Sequence, residues 1–84
     1  MSVADALVAA LWNPDPNSEE WPERTIEELL QAATARLGYP ISNSTIRSAL
    51  YATAGTFERT DEGTRAVYRL TKKVRAMRDS RGEQ

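Results

Sequence analysis

Thr25 and Glu28 stand three residues apart at the head of an apolar repeat, and this spacing constrains the fold of the chain more than any other feature. In a capping box each of the two side chains meets an otherwise unpaired backbone N–H of the other, which fixes where a helix starts. Ile26, Leu29, Leu30, Ala33 and Leu37 then recur at helical spacing, and Gly38 supplies a left-handed exit. Residues 39–42 (YPIS) form a tight connection, with Pro40 fixing the backbone and Ile41 expected to turn inward. A second helix can begin at Ser42, Asn43 or Ser44 and is expected to end at Gly55. Its inward stripe is Ile46, Ala49, Leu50 and Thr53, and the slim Ala49 suits two helices crossing steeply over a short turn.

The outward face of that second helix holds Asn43, Ser44, Thr45, Arg47, Ser48, Tyr51 and Ala52, with no acid among them. Hydroxyl and amide groups on a first turn can bond phosphate oxygens or base edges, N–H groups there attract anions, and an arginine can reach guanine O6 and N7. A plainer role competes: one of Asn43, Ser44 and Thr45 is expected to cap the helix, and Arg47 to be ordinary surface.

After Gly55 the periodicity changes from 3.6 to 2. Phe57, Tyr68 and Leu70 fall on inward strand positions, while Glu58, Arg65 or Arg69 face solvent. Asp61, Glu62 and Gly63 contain the turn. The stretch from Thr60 to Ala66 reads as too long for a two-residue hairpin, so a flexible tip is expected. Arg59 and Arg65 could touch a phosphate or a minor groove from this ribbon. Asp61 and Glu62 would repel phosphate unless they point away.

In this order the segments from Thr25 to Leu70, about half of the chain, resemble the winged helix-turn-helix superfamily. The marks are Ile-Ser-Asn-Ser-Thr-Ile-Arg-Ser-Ala-Leu at 41–50, similar to the start of recognition helices in bacterial regulators, and the ribbon from Phe57-Glu58-Arg59 to Tyr68-Arg69-Leu70-Thr71. The Pro-Ile-Ser step and the Phe-Glu-Arg ribbon are also similar to the HARE-type modules attached to restriction and chromatin proteins. The resemblance implies that helix 43–54 enters the major groove of double-stranded DNA and that wing 56–70 touches backbone or minor groove. The fold class expected is mainly α with a small β-hairpin: three helices, a two-stranded wing and a short C-terminal helix.

The flanks complete one small domain over 1–78. Residues 2–12 place Val3, Ala6, Leu7, Ala10 and Leu11 on one stripe, with Ser2 as N-cap and Asp5 in the first turn. Residues 13–24 (NPDPNSEEWPER) read as a loop in which Trp21 anchors to the body. Thr71 caps a thin-striped basic segment with Lys72, Lys73, Val74, Arg75, Ala76, Met77 and Arg78, and 79–84 is expected to be disordered. The lysines would add sequence-blind affinity beside DNA. The net charge of -1 hides a split. Residues 1–42 carry seven acids against Arg24 and Arg36, whereas 43–84 carry nine bases against five acids. Phosphate contacts require local positive potential, not a positive total.

With no Cys and no His, thiolate zinc sites, disulfides, Cys or His nucleophile chemistry and the usual imidazole base are excluded. The adjacent pairs Glu19–Glu20 and Glu27–Glu28 do not converge on a helix, so no enzyme, metal site or cofactor is indicated. The longest apolar run, Ala6 to Trp12, falls short of the roughly 20 residues of a membrane span, and a cytoplasmic location is expected. The leading functional expectation is a small bacterial or phage DNA-binding regulator or accessory factor, acting as a homodimer. The alternative is a winged helix that binds a protein partner through its acidic half and Trp12 or Trp21.

Overall fold

The computed structural model describes residues 1–15, 17–53 and 55–82, without the side chains of 78–82. Within these residues the elements run α1 (Val3–Ala10), α2 (Ile26–Leu37), α3 (Asn43–Ala52), β1 (Phe57–Glu62), β2 (Arg65–Leu70) and α4 (Lys72–Gly82). It is a mixed domain of helices and one antiparallel hairpin. Among the described residues no helix is long and apolar enough to cross a membrane.

Both expected amino-terminal caps form. Ser2 accepts from the Asp5 N–H at 3.1 Å while the Asp5 carboxylate accepts from the Ser2 N–H at 3.2 Å. Thr25 and Glu28 make the same reciprocal pair at 3.2 and 3.0 Å, and Gly38 ends α2 at φ 81°. Each carboxyl group is held below its ordinary pKa, chiefly by the backbone N–H of its capping partner. α1 stops earlier than its apolar stripe suggested, with Leu11 as C-cap, so Trp12 leaves the helix. There its ring meets Trp21 edge to face at 5.7 Å, anchoring the 13–24 loop as expected.

The same loop is pinned from inside by Asn13, a buried polar residue. Its Nδ2 donates to the carbonyls of Ser18 and Glu20, and its Oδ1 accepts from the Asp15 N–H. The loop then ends in an unforeseen extended step: Arg24 and Tyr68 exchange two backbone hydrogen bonds of 3.0 and 2.8 Å as an isolated antiparallel bridge. A single bridge requires only backbone, so side-chain periodicity carries no trace of it.

Ala6, Leu7 and Leu11, Leu29 and Ala33, Ile46 and Leu50, and Tyr68 and Leu70 form one core cluster drawn from α1, α2, α3 and β2. Full burial stabilises a Leu- or Ile-sized side chain by about 1.5–3 kcal/mol, and Leu7, Leu11, Leu29, Ile46 and Leu70 are all completely enclosed. Ile41 and Ala49 pack against this cluster, as the turn and the helix crossing require.

The hairpin corrects the expectation of a long flexible tip. Its strands pair from Phe57↔Leu70 out to Glu62↔Arg65, leaving Gly63 and Thr64 as a two-residue turn. Gly63 has φ 63° and Thr64 does not have positive φ, the pattern of a type II′ turn with glycine first. Asp61 and Glu62 are therefore strand residues. The ladder is made of backbone groups, so a run of polar side chains can pair as well as an apolar one. The strand period puts Phe57, Arg59 and Asp61 on one face with Leu70, Tyr68 and Ala66.

Two further boundaries differ from expectation. α3 ends at Ala52 with Thr53 as C-cap, its hydroxyl donating to the Ala49 carbonyl, instead of running to Gly55. α4 starts after Thr71, whose hydroxyl and N–H donate to the carbonyls of Gly55 and Thr56. Its backbone is helical through Gly82, past the Arg78 limit drawn from composition. The disorder expected of 83 and 84 lies outside the described residues.

Candidate nucleic-acid interface

α3 is presented by two local decisions in the sequence. Gly38 turns the chain out of α2, and Ser42 caps α3 by accepting from the Thr45 N–H at 3.2 Å. The cap is thus Ser42, not one of the three residues after it. Thr45 is the half-buried partner, its hydroxyl 3.0 Å from that of Ser42, so it is the member of the expected set whose polar group already has a protein partner. Asn43, Ser44, Arg47, Ser48 and Tyr51 are all exposed, Tyr51 at 74 %. Ile46 and Leu50 are buried on the opposite side of the same helix. Two turns of α3 therefore offer an amide, two hydroxyls, a guanidinium and a phenol to solvent, with no carboxylate in the helix.

The arginines of the hairpin are placed differently. Arg59 Nε lies 3.0 Å from Asp61 Oδ1. This hydrogen bond and the Asp61 charge raise the Arg59 pKa above its ordinary value. Arg59 stands opposite Tyr68 in the ladder, on the strand face whose Tyr68 and Leu70 share the core cluster with Ile46 and Leu50 of α3. Arg65 reaches back to Glu28 on α2 at 3.9 Å. Arg69 bonds Glu58 through Nε and approaches Glu23 at 3.7 Å, while Arg75 approaches Glu58 at 3.8 Å. This cluster ties the end of the loop, both strands and α4 together. It was not visible in the sequence, where Glu23, Glu58 and Arg75 are far apart and signal nothing individually.

Lys72 and Lys73 are exposed at the start of α4, and Lys72 lines a shallow groove with Glu19, Trp21, Arg75 and Ala76. That groove belongs to the 13–24 loop and not to the α3 face. Of the ten candidate residues, the structure thus gathers Asn43, Ser44, Arg47, Ser48 and Tyr51 on one open face of α3, while Arg59 is paired with Asp61 on the hairpin. Thr45 is tied into the cap, Arg65 is turned toward α2, and the two lysines stand on another element. Sequence reading passed over Tyr39, which is 52 % exposed in the turn leading to α3. A large aromatic that the apolar stripe of α2 does not use was the available signal.

The arrangement provides hydrogen-bond donors and, in Arg47, a cation that forms no ion pair among the described residues, which suits recognition of a polyanion by direct contact. Comparison with family models, with curated proteins and with solved structures found no match.

Proposed function

We propose that the protein is a winged helix-turn-helix module that binds double-stranded DNA, as a small transcriptional regulator or accessory factor, with α3 in the major groove and the hairpin beside the adjacent backbone or minor groove. The element order supports the fold reading: α1, an extended step at Arg24 paired to β2, α2, α3 and then the hairpin. The observation that carries the functional reading is the solvent-open, acid-free face of α3. Ten residues at 1.5 Å rise give a rod of about 15 Å, long enough to lay two turns along a groove about 12 Å wide. Arg47 is the residue expected to read a base, with Asn43, Ser44 and Ser48 bonding base edges or phosphates. One module makes few base contacts, so a homodimer on a two-fold symmetric site is the expected binding form.

Selection of bound fragments from random duplexes, followed by salt titration of the winner, tests this. Emergence of one motif, with affinity falling steeply with salt and lost in Arg47→Ala, is the expected result. Failure to shift any duplex at low salt would overturn it and leave a protein-interaction module, the reading favoured by the internal pairing of the hairpin arginines with acids.

A further inference from the structure

We infer that Asp61 is an affinity-setting residue of the interface, competing with DNA phosphate for the Arg59 guanidinium. The inference rests on the DNA-binding reading of α3. Residues two apart on a strand point to the same face, and the hairpin register puts Arg59 opposite Tyr68 and Asp61 opposite Ala66. Arg59 Nε and Asp61 Oδ1 are 3.0 Å apart, and the two side chains are 54 % and 65 % exposed. Tyr68 and Leu70 on that strand face join Ile46 and Leu50 of α3 in the core cluster, so the pair lies on the side of the hairpin that turns toward α3. The other hairpin acids do not compete for this cation. Glu58 and Glu62 alternate to the opposite face, where Glu58 is held by Arg69 and Arg75.

An ion pair this exposed is weak, because water screens it and two mobile side chains must be held in one geometry. A phosphate arriving beside Arg59 can therefore replace the carboxylate. The new contact is equally exposed and of similar size, so loss of the carboxylate pair, together with repulsion from Asp61 left close to the phosphate, offsets most of it. Arg59 is consequently nearly silent in the native protein, although it sits where a wing contact would be made.

A double-mutant cycle on random duplex DNA measures this directly. Asp61→Asn is expected to raise affinity about two- to fivefold and to steepen the salt slope by about 0.9, the value of one added phosphate contact. Arg59→Ala alone should change affinity less than about twofold, and Arg59→Ala in the Asp61→Asn background should abolish the gain. Unchanged affinity in Asp61→Asn, or a gain that survives removal of Arg59, overturns the inference while Arg47-dependent binding stands. A wild-type protein that binds no duplex overturns both. Near-identical melting of the four proteins, expected of exposed positions, confirms that the comparison reads binding.

Discussion

The outer face of α3 and the hairpin have similar polar content, and they use it in opposite ways. On α3 the side chains of Asn43, Ser44, Arg47, Ser48 and Tyr51 are exposed and form no hydrogen bond or ion pair among the described residues, and Ser42 supplies the cap. On the hairpin Arg59, Arg65 and Arg69 each face a carboxylate, two of them supplied by segments outside the hairpin, Glu28 and Glu23. A positive charge count is thus a poor guide to where an anion can bind. What matters is which cations remain after the protein has paired its own charges.

The contrast can be broken most sharply within α3 itself. Ile46→Ala empties a fully enclosed site and should cost about 2–5 kcal/mol in urea unfolding, whereas Arg47→Ala, its neighbour, should stay within about 0.5 kcal/mol. A large loss from Arg47→Ala would mean that the outer face is structural. Gly63→Ala tests whether the hairpin owes its shape to its turn. No atom would obstruct the added methyl group, so the expected loss of about 1–2 kcal/mol comes from backbone conformation alone. A neutral result would contradict the tight turn.

Glu28 ties the hairpin to α2, since it takes part in the cap of that helix and faces Arg65. Its carboxyl is held below the ordinary value, so the stability it contributes is present above the unfolded pKa and is lost as pH falls through the folded one. Glu28→Gln should therefore lower stability at pH 6 by no more than about 0.5 kcal/mol, since water screens a half-exposed carboxylate, and the difference should shrink as pH falls below the ordinary carboxylate range in thermal melts. The smallest effect is expected from Arg65→Ala, within about 0.5 kcal/mol, because its contact is long and exposed. A larger loss would show that the hairpin depends on its internal pairing.

How much of this was legible in the sequence follows from what each element needs. The caps at Thr25 and Gly38, the stripe of α2 and the inward positions Ile46, Leu50, Tyr68 and Leu70 are set by local spacing, and local spacing is what a sequence displays. The exposed face of α3 followed from the same periodicity. The Arg24–Tyr68 bridge, the tight turn at Gly63 and the Glu58 cluster depend on backbone pairing or on residues brought together from distant segments. Neither leaves a periodic signature. The hairpin arginines were legible as charges but not as paired charges, and only the fold distinguishes the two.

The bridge between Arg24 and Tyr68 has an effect on how the protein behaves in crowded solution. It pairs β2 at Tyr68 on the side away from β1, whereas among the described residues the outer margin of β1 borders no strand. That margin runs through Glu58, Arg59, Asp61 and Glu62, a row of charges hostile to the addition of a foreign strand. Carboxylates and a guanidinium along an open strand edge thereby disfavour its pairing with a second sheet.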